Sequence, residues 1–238
     1  VTASVAVVTG AASGIGACVA DVLRADGWRL SLADLSPMPE GTADPTDLTT
    51  ATDISSAADV ESLFASTLRR FGRIDAVVNV AGITLAGDVL VEDLDEETFD
   101  RVIGVNLRGT FLMCRAAVRT LRGSGGAIVN IGSTASVVGI GGTAYVTSKS
   151  GVAGLSRAIA YQYADRGIRC NTVAPGATDT PMIRTSLAKG AAAVDRPGCL
   201  PGMARPQDVA ELVRFLVSDA GRFVTGAVYT MDGGLTQH

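Results

Sequence analysis

The chain has one histidine, His238, and it is the last residue. A Ser-His-Asp triad, a Cys-His pair or a histidine-ligated metal needs an imidazole inside the folded body, and a terminal residue is usually frayed. No metal site is expected, and acid-base work near neutral pH must fall to another side chain whose pKa is displaced. Cysteine is sparse as well. Cys18, Cys114, Cys170 and Cys199 show no CxxC spacing. They read as small core side chains kept reduced, not as a zinc cluster or a disulfide framework. Long apolar runs are missing: nothing approaches the roughly 20 residues of a membrane span. The N-terminus opens on a strand-like run with no basic leader, so a soluble, cytoplasmic protein is the expectation. There is no basic run, and the net charge of -4 opposes attraction to phosphate backbones or anionic lipid. Neither nucleic acid nor membrane is expected as a partner.

What is present is the composition of a packed sheet-and-helix protein: 238 residues, 47% apolar and 18% charged. A chain of this length can bury a large core in one domain, here 1–238. Short apolar runs bounded by turn residues alternate with stretches of helical period, the signature of repeated βαβ units. Strands are predicted at 5–9, 29–33, 49–52, 76–80, 127–131, 168–173 and 227–230. Helices are predicted at 15–26, 58–71, 96–121, 143–165 and 206–216. The fold class is α/β, a doubly wound three-layer sandwich on a seven-stranded parallel sheet. Between the second and third strands, Pro37, Pro39 and Pro45 rule out a regular crossover helix, and an irregular loop is predicted. The stretch 180–205 mixes a short helical piece with Gly and Pro and is a candidate lid over a site.

The run VAVVTGAASGIGACVADVL passes from strand to helix through Gly10, Gly14 and Gly16, with Ser13 and Ile15 between them. Such glycines permit a tight turn, close approach to a pyrophosphate and close helix-strand packing, while the helix N-terminus offers N-H donors to an anion. Asp34 ends the second strand, 18 residues beyond Gly16. A carboxylate there can bond a ribose 2'-hydroxyl and repel a 2'-phosphate, and no Arg or Lys at Ser13 or Leu35 offsets that repulsion. NAD(H) is expected in preference to NADP(H). Asp53, followed by Ile54, either bonds an adenine amino group or starts a turn before the next helix. Asn79 lies near the end of the fourth strand, and the small Ala81 and Gly82 follow it, where adenine or ribose could lie against backbone.

Tyr145 and Lys149 are four residues apart on one predicted helix and so share a face. An ammonium ~4 Å from a phenolate in a medium of dielectric ~20 contributes roughly 4 kcal/mol, about three pKa units. That would bring a phenol toward neutrality before desolvation takes part of it back.

These pieces stand in a fixed order: TGAASGIG at 9–16, Asp34, NVAG at 79–82, VNLRGTF around Asn106, IVNIGS ending at Ser133, YVTSK at 145–149, PGATDT at 175–180 and MDGG at 231–234. Over essentially its whole length the sequence resembles the short-chain dehydrogenase/reductase family. The resemblance implies a single Rossmann-type domain and an NAD(H)-dependent transfer of hydride between nicotinamide and a secondary alcohol or ketone. By the same resemblance Tyr145 is the acid-base, Lys149 lowers its pKa and holds the nicotinamide ribose, and Ser133 donates to the substrate oxygen. Asn106 keeps the long helix locally open and anchors a water linked to Lys149. Pro175, Gly176, Thr178 and Thr180 flank the nicotinamide, with Thr180 holding its carboxamide. Two departures stand out: Val80 replaces the family's second Asn, and Thr178 stands where an aliphatic residue is common. Ser136, nine residues before Tyr145, is a weaker alternative to Ser133. A homotetramer, or a homodimer, is the implied assembly. A branch of dihydrodiol dehydrogenases shares the acidic second-strand end and PGATDTPM, while 3-oxoacyl reductases and sugar-alcohol dehydrogenases stay open. The reading from a different class is a redox-silent NAD(H)-binding protein.

Overall fold

The apolar runs of the sequence become strands β1 (Val5–Thr9), β2 (Arg29–Asp34), β3 (Leu48–Ala51), β4 (Ala76–Asn79), β5 (Gly126–Ile131), β6 (Ile168–Pro175) and β7 (Val228–Met231). In this computed structural model, which describes residues 3–121, 123–188 and 199–237, they form one sheet. Every pairing is parallel, and the order is β3-β2-β1-β4-β5-β6-β7. Strands β1 and β4 are buried throughout, as expected where helices cover both faces.

The helices are α1 (Gly14–Ala25), α2 (Ala57–Phe71), α3 (Glu96–Ile103), α4 (Thr110–Leu121), α5 (Ala135–Val138), α6 (Thr143–Tyr163), α7 (Pro181–Ala188) and α8 (Pro206–Val217). One apolar layer gathers α1 and α8 residues such as Leu23 and Val213 on one face of the sheet. A second gathers α2, α4 and α6 residues such as Leu63, Met113 and Ile159 on the other. Local signals set the ends. Ser56 accepts from the Asp59 amide to begin α2, and Gly72, at φ 78, closes it in the left-handed conformation.

Two features that helical period did not give matter for the site. The helix predicted over 96–121 is interrupted by a π turn, Gly104–Gly109, between α3 and α4, at the residue that by resemblance keeps the helix locally open. Asn106 sits inside it, fully buried, and its carboxamide bonds outside the helix, which favours the wider turn. Helix α5, just after β5, has only four residues, too few for a helical period to show in the sequence.

The connection from β2 to β3 contains no helix, as the prolines required. Arg24 of α1 clips it: Nη2 reaches Asp47 Oδ2 at 2.7 Å and the Thr42 carbonyl at 3.3 Å. The Asp47 side chain is only 2% exposed.

A polar ladder crosses the second layer. Asn79 Nδ2 donates to Asn130 Oδ1 (2.7 Å), Asn130 Nδ2 to Ser156 Oγ (2.9 Å), and Thr172 Oγ1 to the same Ser156 oxygen (2.7 Å). It ties β4, β5 and β6 to α6, and the thiols of Cys114 and Cys170 lie against Asn130. All four cysteines are free; these two are buried, while Cys18 and Cys199 are half-buried. No helix among the described residues is long and apolar enough to cross a membrane.

Candidate active site

Strand order reverses between β1 and β4, and the carboxyl ends of a parallel sheet open a crevice at such a point. A cleft of about 1030 Å³ lies there. Gly10 leaves β1 at φ 66, and a Cβ on it would stand 2.9 Å from the Ala81 nitrogen. A Cβ on Gly16 would stand 2.0 Å from the Gly10 carbonyl oxygen, so α1 can pack this close to the loop only with glycine there. Thr9 Oγ1 accepts from the amides of Val80 (3.1 Å) and Ala81 (3.2 Å), joining the loops after β1 and β4. Ser13, the N-cap of α1, makes no side-chain cap bond, so the first-turn amides keep their positive end toward the cleft.

Gly10, Ser13, Gly14, Ile15, Asp34, Asp53, Ile54, Ala81 and Gly82 all line this cleft. Asp34 is held firmly: Oδ2 accepts from the Ala12 amide (3.0 Å) and Oδ1 from the Ser36 amide (2.9 Å). Each carboxylate oxygen keeps a further acceptor position. Asp53 starts the turn before α2, with Oδ1 accepting from the amide and hydroxyl of Ser55, while still facing the cleft. Two expected cofactor contacts are displaced. Gly16 lies behind the loop as a packing residue, outside the lining. The Asn79 side chain turns into the polar ladder beneath the sheet end, because Asn130 offers it a buried partner.

At the other end of the cleft, β5 delivers Ser133 and α6 delivers Tyr145 and Lys149. Ser133 Oγ accepts from the Ala135 amide at 3.1 Å, and its hydroxyl is near enough to the Tyr145 phenol to act on that group's ionisation. Ser136 is turned away, donating to the Ser133 carbonyl at 2.6 Å. Lys149 Nζ is buried, donates to the Ile131 carbonyl at 2.8 Å, and lies 5.8 Å from the centre of the Tyr145 ring.

The electrostatics correct the sequence expectation. Burial pushes the Tyr145 phenol above its ordinary value, and the neighbouring Ser133 hydroxyl pulls it only part of the way back. Burial also lowers Lys149 to about 8. Desolvation, acting on both groups at once, outweighs the attraction that spacing alone suggested, because the ammonium is directed at a backbone carbonyl and not at the phenol oxygen.

Asn106 is placed beside this pair. Its Oδ1 accepts from the Ile83 amide (2.8 Å), and Nδ2 donates to the Ile83 carbonyl (2.9 Å) and to Ser148 Oγ (3.2 Å). A Cβ on Gly82 would come within 3.2 Å of Asn106 Oδ1 and 3.4 Å of Lys149 Nζ, so the three pack together. Both Nδ2 protons of Asn106 are engaged with protein, while Oδ1, with one partner, keeps a further acceptor position. Pro175, Gly176, Thr178 and Thr180 line the cleft after β6, and Thr180 Oγ1 donates to the Thr178 carbonyl at 3.2 Å. Of the candidate lid, α7 contributes Met182, Ile183 and Ser186 to the lining; residues 189–198 lie outside the described residues.

Sequence reasoning missed Asp88, on the loop after β4, whose carboxylate bonds the amides of Ala144 and Tyr145 at 2.8 Å each. It also missed Ser148, which donates to the Tyr145 carbonyl at 2.8 Å. The one available signal was Gly142: a helix beginning at glycine has no side chain of its own to cap it.

A glycine-rich strand-helix turn, an acid at the next strand end and a Ser-Tyr-Lys cluster around one cleft define a Rossmann-type oxidoreductase. The family described as enoyl-(acyl carrier protein) reductase matches residues 10–236. Cis-4-hydroxycyclohexanecarboxylate dehydrogenase of Sinomonas cyclohexanicum is 39% identical, over 98% of this chain and 96% of that one. Levodione reductase of Leifsonia aquatica is 36% identical, over 98% of this chain and 94% of its own length. A solved levodione reductase structure superposes with a TM-score of 0.92 at 35% identity, covering 99% and 98% of the two chains. A 3-ketoacyl-(acyl-carrier-protein) reductase from Brucella melitensis, solved with NADH, gives 0.88 at 30%, covering 99% of each. The chain belongs to the short-chain dehydrogenase/reductase family and is an oxidoreductase acting on CH-OH and C=O groups.

Proposed function

We propose that the protein is an NAD(H)-dependent dehydrogenase/reductase of ring-borne secondary alcohols and their ketones. The observation that carries this reading is the grouping of Ser133, Tyr145 and Lys149 on the same cleft as the Gly10–Gly14 loop and Asp34. The loop fits a dinucleotide: glycines leave no side chain over the first turn of α1, and the Asp34 carboxylate is already oriented by two backbone bonds. The acid also supports NAD(H) over NADP(H), since a 2'-phosphate would meet its charge.

When bound, a nicotinamide supplies the hydride chemistry. Tyr145 gives a proton to the carbonyl oxygen in reduction and takes it from the hydroxyl in oxidation. Ser133 donates to that same oxygen as negative charge builds on it. Lys149, fixed on the Ile131 carbonyl, holds a positive charge beside the ring of Tyr145. Burial keeps Tyr145 protonated, which is the form that carbonyl reduction needs.

A cyclic substrate is supported by apolar lining at the reacting end, from Val138, Ile140, Met182 and Ile183. It is supported also by the likeness to an enzyme of hydroxycyclohexanecarboxylate. Helix α7, the described helical part of the candidate lid, lines the cleft in this reading. Half-exposed Phe111 on α4 and exposed Tyr161 on α6 favour assembly as a homotetramer through these helices. The deciding experiment is a panel of cyclic and linear secondary alcohols and ketones followed by NADH absorbance, with NADP(H) run alongside. Turnover confined to NADP(H), or to acyl carrier thioesters, would overturn the proposal.

A further inference from the structure

Resting on that reading, we propose that Asp88 is a positioning residue for the reaction: from the loop after β4 it seats the first turn of α6 and so holds Tyr145 against Ser133. Its two carboxylate oxygens take separate amides, Oδ1 that of Ala144 and Oδ2 that of Tyr145, both at 2.8 Å. Four first-turn amides of any helix lack partners within it, and a carboxylate at that end gains from the helix dipole. Helix α6 cannot supply the cap itself, because its N-cap is Gly142. That glycine has an ordinary φ of -65, so it is not needed for backbone conformation. It is needed for room: a Cβ there would lie 2.2 Å from Asp88 Cγ.

The loop that carries Asp88 is itself held at both ends. At its start, Asn106 bonds both the amide and the carbonyl of Ile83. Beyond Asp88, the Val89 carbonyl accepts from Thr143 Oγ1 at 2.8 Å. On the other side of Tyr145, its own carbonyl accepts from Ser148 Oγ, and Ser148 accepts in turn from Asn106. The backbone of Tyr145 is thus gripped at its N-H by Asp88 and at its C=O by Ser148, and both grips trace back to Asn106. Misplacing a reacting group by about 1 Å costs on the order of a hundredfold in rate.

Asp88→Ala and Asp88→Asn test this, together with Gly142→Ala, which leaves the carboxylate intact and pushes it off its seat. The expected result for Asp88→Ala is a kcat lower by roughly 10- to 100-fold, with NADH affinity within about twofold of wild type. Asn, able to accept from one amide only, should lose less than Ala, and Gly142→Ala should resemble Asp88→Ala. Amide hydrogen exchange on the protein without cofactor gives the readout independent of turnover: Ala144 and Tyr145 should exchange faster while the 152–160 part of α6 stays protected. Faster exchange with unchanged kcat would reduce Asp88 to a structural cap and overturn the proposal. Unchanged exchange would overturn it as well. A wild-type control that turned over nothing in the alcohol and ketone panel would instead sink the functional reading, before any variant was compared.

Discussion

Lys149 Nζ donates to the carbonyl oxygen of Ile131 at 2.8 Å, which fixes an ammonium near the start of α6 to the last residue of β5. Burial lowers this lysine to about 8 from an ordinary 10.5. Between those values the folded chain binds fewer protons than the unfolded one, so stability rises with pH across the window. Relative to Lys149→Met, the wild type should gain up to about 3 kcal/mol between the two pH values. Urea melts of both proteins at several pH values measure the difference; a gap independent of pH would refute the burial of the charge.

Tyr145 shifts in the opposite sense, held protonated by burial despite the nearby Ser133 hydroxyl. In the protein without cofactor, ultraviolet titration should show one tyrosine ionising above the ordinary range, and that step should vanish in Tyr145→Phe. Carbonyl reduction uses the protonated phenol and should weaken as pH rises, whereas alcohol oxidation uses the phenolate and should climb. The same variant should lose roughly 10²–10⁴ in turnover while retaining cofactor affinity. Full turnover without the phenol oxygen would remove Tyr145 from the chemistry.

Asp34 should decide the nucleotide. Asp34→Ala removes the charge that faces a 2'-phosphate and should narrow the ratio of kcat/KM for NAD over NADP by at least about tenfold, equivalent to roughly 1.4 kcal/mol. An unchanged ratio would mean that the carboxylate serves only the amides of Ala12 and Ser36.

Arg24 should prove a local fastener. Arg24→Met leaves the buried Asp47 carboxylate without its cation and should cost roughly 1–3 kcal/mol. Limited proteolysis should then cut first within 37–47, and Asp47→Asn in the same chain should restore part of the loss. Cleavage that begins elsewhere would show that another contact holds this connection.

Periodicity and punctuation in the sequence were enough for the seven strands, most helix ends and the missing crossover helix, since each depends on neighbours in the chain. The π turn was not legible from periodicity: its cause is Asn106 reaching Ile83, 23 residues away, and Gly104 to Gly109 otherwise read as ordinary helix. The cap on α6 was hidden for the same reason, since Asp88 and Tyr145 are 57 residues apart. The residues around the cleft could be named from motifs, and their charge states could not. Spacing gives the distance between Tyr145 and Lys149 along a helix but says nothing of how dry the space around them is, and it is the dryness that sets both pKa directions.

The ladder from Asn79 through Asn130 to Ser156 and Thr172 has a consequence for assembly of the sheet. Parallel strands built from Val, Ala and Ile resemble one another, and sliding one past its neighbour by two residues would still leave hydrocarbon facing the helices. It would not rejoin the amides and hydroxyls, and each one stranded in that dry layer would cost about 1–3 kcal/mol. The alignment that joins them sets Asn79 beside Asn130 and Asn130 beside Thr172, and it brings the tips of β4, β5 and β6 together where the reacting groups must meet.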